Sequence, residues 1–136
     1  MSAESDYISA ESQNILRTTT LIRDLFEKKK LTDYEVIALG KLLQDVYQGI
    51  ERILRTLLEN RGVKIKKTEG WHKELLLAAK RQSLVTPLQF ETFRNLLLFR
   101  HLQIHGYGYM LEESRLRELA EPVPELCRDF LHNIAL

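Results

Sequence analysis

Val36, Leu39, Leu43, Val46, Ile50, Ile53 and Leu57 follow one another at alternating steps of three and four residues. That spacing places every member on one stripe of an α-helix, whereas a strand would send successive residues to opposite faces. Ile37, Leu42, Tyr47, Leu54 and Leu58 widen the stripe. Thr32-Asp33-Tyr34-Glu35 precedes it with the spacing of a capping box, and Gly62 stands where a left-handed residue would end it. The helix so defined is about 29 residues long, or roughly 43 Å at about 1.5 Å per residue. So long an apolar stripe needs other helices, or a second copy, to cover it.

The remaining segments supply such helices. Over residues 5–29, Ile8, Ile15, Ile22 and Leu25 or Phe26 form one stripe, with Lys28-Lys29-Lys30 at its end. Residues 71–82 read as a shorter helix with Leu75, Leu76 and Ala79 inward and Trp71, the only Trp, anchoring the core. Thr86-Pro87-Leu88-Gln89 opens the next helix, with Thr at the N-cap, Pro at the first position and Gln at the third. Phe90, Phe93, Leu96, Leu97 and Phe99 give it an apolar side. Residues 110–120 read as helix, Pro122 and Pro124 interrupt the chain, and a last helix starts near Glu125. No segment alternates as a strand does. The expected fold is all-α, one domain over residues 1–136, an antiparallel bundle of four to five helices.

Composition narrows the function classes. Twenty Lys and Arg against 19 Asp and Glu give a net charge of +1, so a nucleic-acid surface has to be local. The most basic local patch surrounds residues 63–70: Lys64, Lys66 and Lys67, with Arg61 and Lys73 near, against Glu69. It reads either as an RNA-backbone contact or as a solvated loop. One cysteine, Cys127, excludes an internal disulfide. With an acidic start that lacks signal-peptide character and no apolar run near a membrane span, this leads us to expect a cytoplasmic protein with no membrane association.

The chemistry concentrates in Phe99-Arg100-His101-Leu102-Gln103-Ile104-His105-Gly106-Tyr107-Gly108-Tyr109. Arg offers a planar fork of donors to phosphate, and His exchanges a proton near neutral pH. On a regular helix Arg100 and His105 point about 140° apart. They converge only if the helix bends or ends, or if two subunits meet at a cleft. His101 and His105 share a helical face, a zinc-like spacing, but no Asp, Glu or Cys nearby completes a metal site. His72, a lone His at the head of a helix, reads as structural or exposed. A polar helix end with incidental histidines also accounts for the stretch. If it is a site, RNA is the substrate that requires least of it, because the 2′-OH beside the phosphate is its own nucleophile. A His would take that proton and an Arg would stabilise the charged transition state, with no cofactor. Candidates for the general acid are His101 and a His from a second subunit, and the sequence does not decide which group fills the role.

Arg100, His105 and Tyr107 match the R-X4-H-X-Y signature of HepT toxins in the HEPN ribonuclease superfamily. Gly49-Ile50-Glu51-Arg52-Ile53-Leu54 and Trp71-His72-Lys73-Glu74-Leu75-Leu76 also resemble HepT-like proteins. The resemblance spans about residues 34–135. It implies a homodimeric, metal-independent endoribonuclease toxin with Arg100, His105 and His101 at the catalytic cleft. It further implies an MNT-type nucleotidyltransferase antitoxin that attaches AMP to Tyr107, with Tyr109 close by. The alternatives are a non-catalytic nucleotide-binding module that partners a nucleotidyltransferase, and a helical dimerisation adaptor.

Overall fold

The computed structural model describes residues 3–104 and 112–134. Its elements are α1 (Ala3–Phe26), α2 (Asp33–Asn60), α3 (Trp71–Arg81), α4 (Pro87–Ile104), α5 (Glu113–Ala120) and α6 (Val123–Ile134). Among the described residues there is no strand. The fold is the helical bundle that the periodicity predicts. No helix of the described residues is long and apolar enough to cross a membrane.

α2 is the axis of the bundle. Leu39, Leu43, Val46, Ile50 and Ile53 from its stripe are buried, with Tyr47, Leu54 and Leu58 beside them. Ile37 is 67% exposed, so the widened stripe does not close at the N-terminal end of the helix. Both ends are built as the sequence indicates. The Thr32 side chain accepts from the Glu35 N–H, and Glu35 accepts from the Thr32 N–H. Gly62, with φ of 78°, takes the left-handed position after the last turn.

α1 packs on α2 and α6. Ile15, Thr19 and Ile22 are its buried residues. The Thr18, Thr19 and Thr20 hydroxyls donate to carbonyls of the preceding turn, which accommodates three poor helix formers. At the crossing with α2, a Cβ on Gly49 would lie 2.8 Å from Ile15 Cγ1, so glycine permits this close approach. α1 ends at Phe26, earlier than expected, and Lys28-Lys29-Lys30 lie in the turn that follows. That turn is tied to α5. The Leu31 N–H donates to Glu113, Arg117 donates to the Lys28 carbonyl, and Arg117 also donates to Glu113. Lys28 pairs with Glu35.

α3 packs on α2 and α4 and leaves Trp71 outside the main core. Trp71 is half-buried over a small cluster of Leu58, Leu75 and Ala78, flanked by Val63 and Ile65. It therefore does not anchor the main core. That place is taken by Phe93 and Phe130, which meet edge to face at 5.5 Å. α4 starts with the capping box of Thr86 and Gln89 and buries Phe90, Phe93, Leu96 and Phe99. α6 starts at Val123 and takes Pro124 into its first turn, where a missing N–H breaks no helical bond. Cys127 is fully buried, and burial pushes its thiol up to about 12.

The turn contacts make stability depend on pH. Lys28 and the Thr32 N–H hold the Glu35 carboxyl below its ordinary value of 4.5, and Arg117 with the Leu31 N–H does the same for Glu113. A carboxyl depressed in the folded state adds stability above its unfolded pKa and loses it as pH falls through the folded value. Urea titrations at about pH 6 and about pH 3 should therefore show a smaller acid loss for Glu35→Gln/Glu113→Gln than for the wild type.

Candidate functional site

Three helices bring one residue each to a common point. Glu51 lies on α2, four residues after buried Tyr47, so the two share a face. His72 is the second residue of α3, which the chain enters through Gly70 at a φ of 78°. Arg100 lies near the end of α4, next to buried Phe99, and is itself half-buried.

These side chains form a continuous hydrogen-bonded chain. His72 Nδ1 is 2.5 Å from Glu51 Oε2, and His72 Nε2 is 3.2 Å from Arg100 Nη1. The partners select the tautomer. Ionised Glu51 only accepts, so Nδ1 carries the proton; Arg100 only donates, so Nε2 is the bare acceptor. A doubly protonated ring would set an N–H against the guanidinium. Neutral His72 thus couples a buried carboxylate to the arginine and fixes one guanidinium nitrogen. Among the described residues, no other bond to the remaining Arg100 donors is seen, and these can meet an anion.

Tyr47 lies under this chain. Its hydroxyl is buried and has no hydrogen-bond partner among the described residues. Burial, and then the Glu51 carboxylate, push its phenol far above the usual range. A buried hydroxyl without a partner is a standing cost.

Above the chain is a pocket of about 290 Å³ lined by Gln48, Glu51, Arg52, Arg55, Lys67, Trp71, His72 and Arg100. Trp71 stacks on His72 with ring centroids 3.8 Å apart. The Arg55 guanidinium is 5.8 Å and the Lys67 ammonium 5.6 Å from the Trp71 ring centre. Of the basic loop, Lys67 reaches this pocket; Lys64, Lys66 and Lys73 are exposed and do not line it. Arg61 folds back to donate to the Gln82 carbonyl. His101 is exposed on α4 and is not a lining residue. His105, Tyr107 and Tyr109 lie outside the described residues. Among the described residues no group of His, Cys, Asp and Glu is arranged to hold a metal ion.

Of the two sequence readings of His72, structural or exposed, the structure gives the structural one: it is half-buried and links Glu51 to Arg100. No local spacing reveals this, because it stands 21 residues from one partner and 28 from the other.

Two substitutions test the chain. Glu51→Ala removes the acceptor for His72 Nδ1–H and should cost about 1–3 kcal/mol in urea denaturation. Tyr47→Phe removes a hydroxyl that lies beside Glu51 and has no hydrogen-bond partner by geometry among the described residues, and it should change stability by no more than about 1 kcal/mol in the same measurement.

A family model described as HepT-like protein matches residues 38–136, a span that contains Glu51, His72, Arg100 and the whole 99–109 stretch. No curated protein and no solved structure matches the chain. The family match covers well over half of the sequence and agrees with the all-helical fold: the chain belongs to the HepT-like protein family.

Proposed function

We propose that this protein is the toxin of a HEPN/MNT toxin–antitoxin pair of the type VII kind, a metal-independent endoribonuclease. The observation that carries this reading is Arg100, held by the Glu51–His72 pair at the edge of a pocket rich in cations, on a chain of the HepT-like family.

The proposed chemistry needs few groups. His105 takes the 2′-OH proton and the 2′-oxygen attacks the adjacent phosphorus. The bond to the 5′-oxygen breaks, and that oxygen gains a proton from His101 or from a His of a second subunit. The products are a 2′,3′-cyclic phosphate end and a 5′-OH end. Arg100 donates to the phosphoryl oxygens as charge builds on them. A fixed guanidinium is already oriented when the transition state forms, so little reorganisation is needed at that moment.

A homodimer would bring two copies of Arg100 and His105 to one cleft. Lys64, Lys66, Lys67 and Lys73 would contact the RNA backbone. Modification of Tyr107 by a nucleotidyltransferase antitoxin would add a phosphodiester anion and an adenosine, which would occupy Arg100 and block the cleft. The alternative reading as a nucleotide-binding module shares the pocket but gives His105 no task.

RNA cleavage in EDTA tests the reading. Wild-type protein, verified by mass to carry no AMP, should cleave RNA. Arg100→Ala and His105→Ala should each lower the rate about 10²- to 10⁴-fold with unchanged helical content and oligomeric state. Treatment with the partner nucleotidyltransferase, ATP and magnesium should silence the wild type, and Tyr107→Phe should escape silencing. Full activity of either site variant would refute the assignment, and inert unmodified wild type would favour the binding module.

A further inference from the structure

The pocket contains more than a holder for Arg100. Among the described residues, Arg52, Arg55, Lys67 and Arg100 line it against one carboxylate, Glu51, which is already bonded to His72. The partners of the two α2 arginines hold them weakly. Arg52 meets Glu11 at 3.4 Å, and Arg55 meets Glu59 at 3.1 Å through Nε, both as partly exposed pairs. Such pairs are worth little in water, so an incoming phosphate can compete for these side chains. Arg55 and Lys67 stand near the outer limit of a cation–π contact with Trp71, which is about 6 Å. His72 stacks on this ring and the two cations lie over it, so an incoming base takes the place of a cation, which is then released to meet the backbone; stacking with backbone neutralisation is how single-stranded nucleic acid binds.

We propose that this pocket is a nucleotide subsite, holding the nucleotide that flanks the scissile phosphate with its base against Trp71 and its phosphate among Arg55, Lys67 and Arg100. The assignment rests on the ribonuclease reading for its place beside the cleavage point. Arg100 belongs to both sites, so the bound nucleotide lies next to the phosphate under attack. Base stacking tolerates every base, so the subsite positions a strand without reading its sequence. Trp71 has a structural task as well, covering Leu58, Leu75 and Ala78. The subsite adds a second use for the part of the ring that remains exposed.

The protein supplies its own reporter, because Trp71 is the only tryptophan. The probe is a single-stranded 2′-deoxytetranucleotide, which lacks the 2′-OH and cannot be cleaved by the proposed route. Titration into the full-length protein at low salt should quench Trp71 fluorescence saturably. Arg55→Gln/Lys67→Gln should weaken binding by about ten-fold or more and flatten its salt dependence. Trp71→Phe should retain most of the affinity measured by anisotropy of a labelled strand, and Trp71→Leu should lose about ten-fold. Circular dichroism on each variant separates lost binding from lost folding, and the charge pair carries the test if Trp71→Leu unfolds.

Binding of the strand with no change in Trp71 emission overturns the subsite, as does undiminished affinity in the charge variant. Equal affinity for 5′-AMP and for the tetranucleotide overturns its assignment to a strand. Quenching without cleavage of RNA upholds the subsite and sinks the nuclease. Cleavage of RNA without quenching does the reverse.

Discussion

Everything in this fold leans on the burial of one face of α2. Its 28 residues run through the middle of the bundle, and α1, α3, α4 and α5 all pack against it. The driving force is ordinary removal of apolar surface from water. Its consequence is positional. A long helix covered along its length is stiff, and a side chain held on its buried flank has little freedom. Glu51 is such a side chain, 8% exposed.

A buried carboxylate is costly unless it is bonded, and this cost explains the site. Glu51 takes the Nδ1–H of His72, and His72 passes the constraint to Arg100. Each group in the chain has the polarity that its neighbour requires. The bond network also links three helices that share no local sequence. A polar device of this kind adds specificity to a core that packing alone leaves degenerate. Tyr47, whose buried hydroxyl has no hydrogen-bond partner by geometry among the described residues, marks a local departure from full satisfaction. Such departures concentrate near sites whose geometry serves something besides stability.

The pocket shows why net charge was a poor guide. A chain with +1 overall still brings four basic side chains to one pocket, where Glu51 is the lining acid among the described residues and is bonded to His72. Glu35 caps α2 and Glu113 clamps the α1–α2 turn to α5. Of the loop lysines, Lys67 lines the pocket while Lys64, Lys66 and Lys73 face solvent elsewhere, a division that composition cannot make.

What the sequence determined by itself is everything that depends on neighbours along the chain. The period of Val36 to Leu57, the Thr32–Glu35 and Thr86–Gln89 caps and the Gly62 stop are all local, and each appears where its spacing puts it. The HepT-like blocks, also local patterns, identified the family. Tertiary structure decided what depends on residues distant in the chain. It took Trp71 out of the main core, left Ile37 exposed and joined Glu51, His72 and Arg100 across separations of 21 and 28 residues. Helical periodicity states which way a side chain points from its own axis. It does not state which other helix will be there, because that follows from how four helices of different length come to rest on α2.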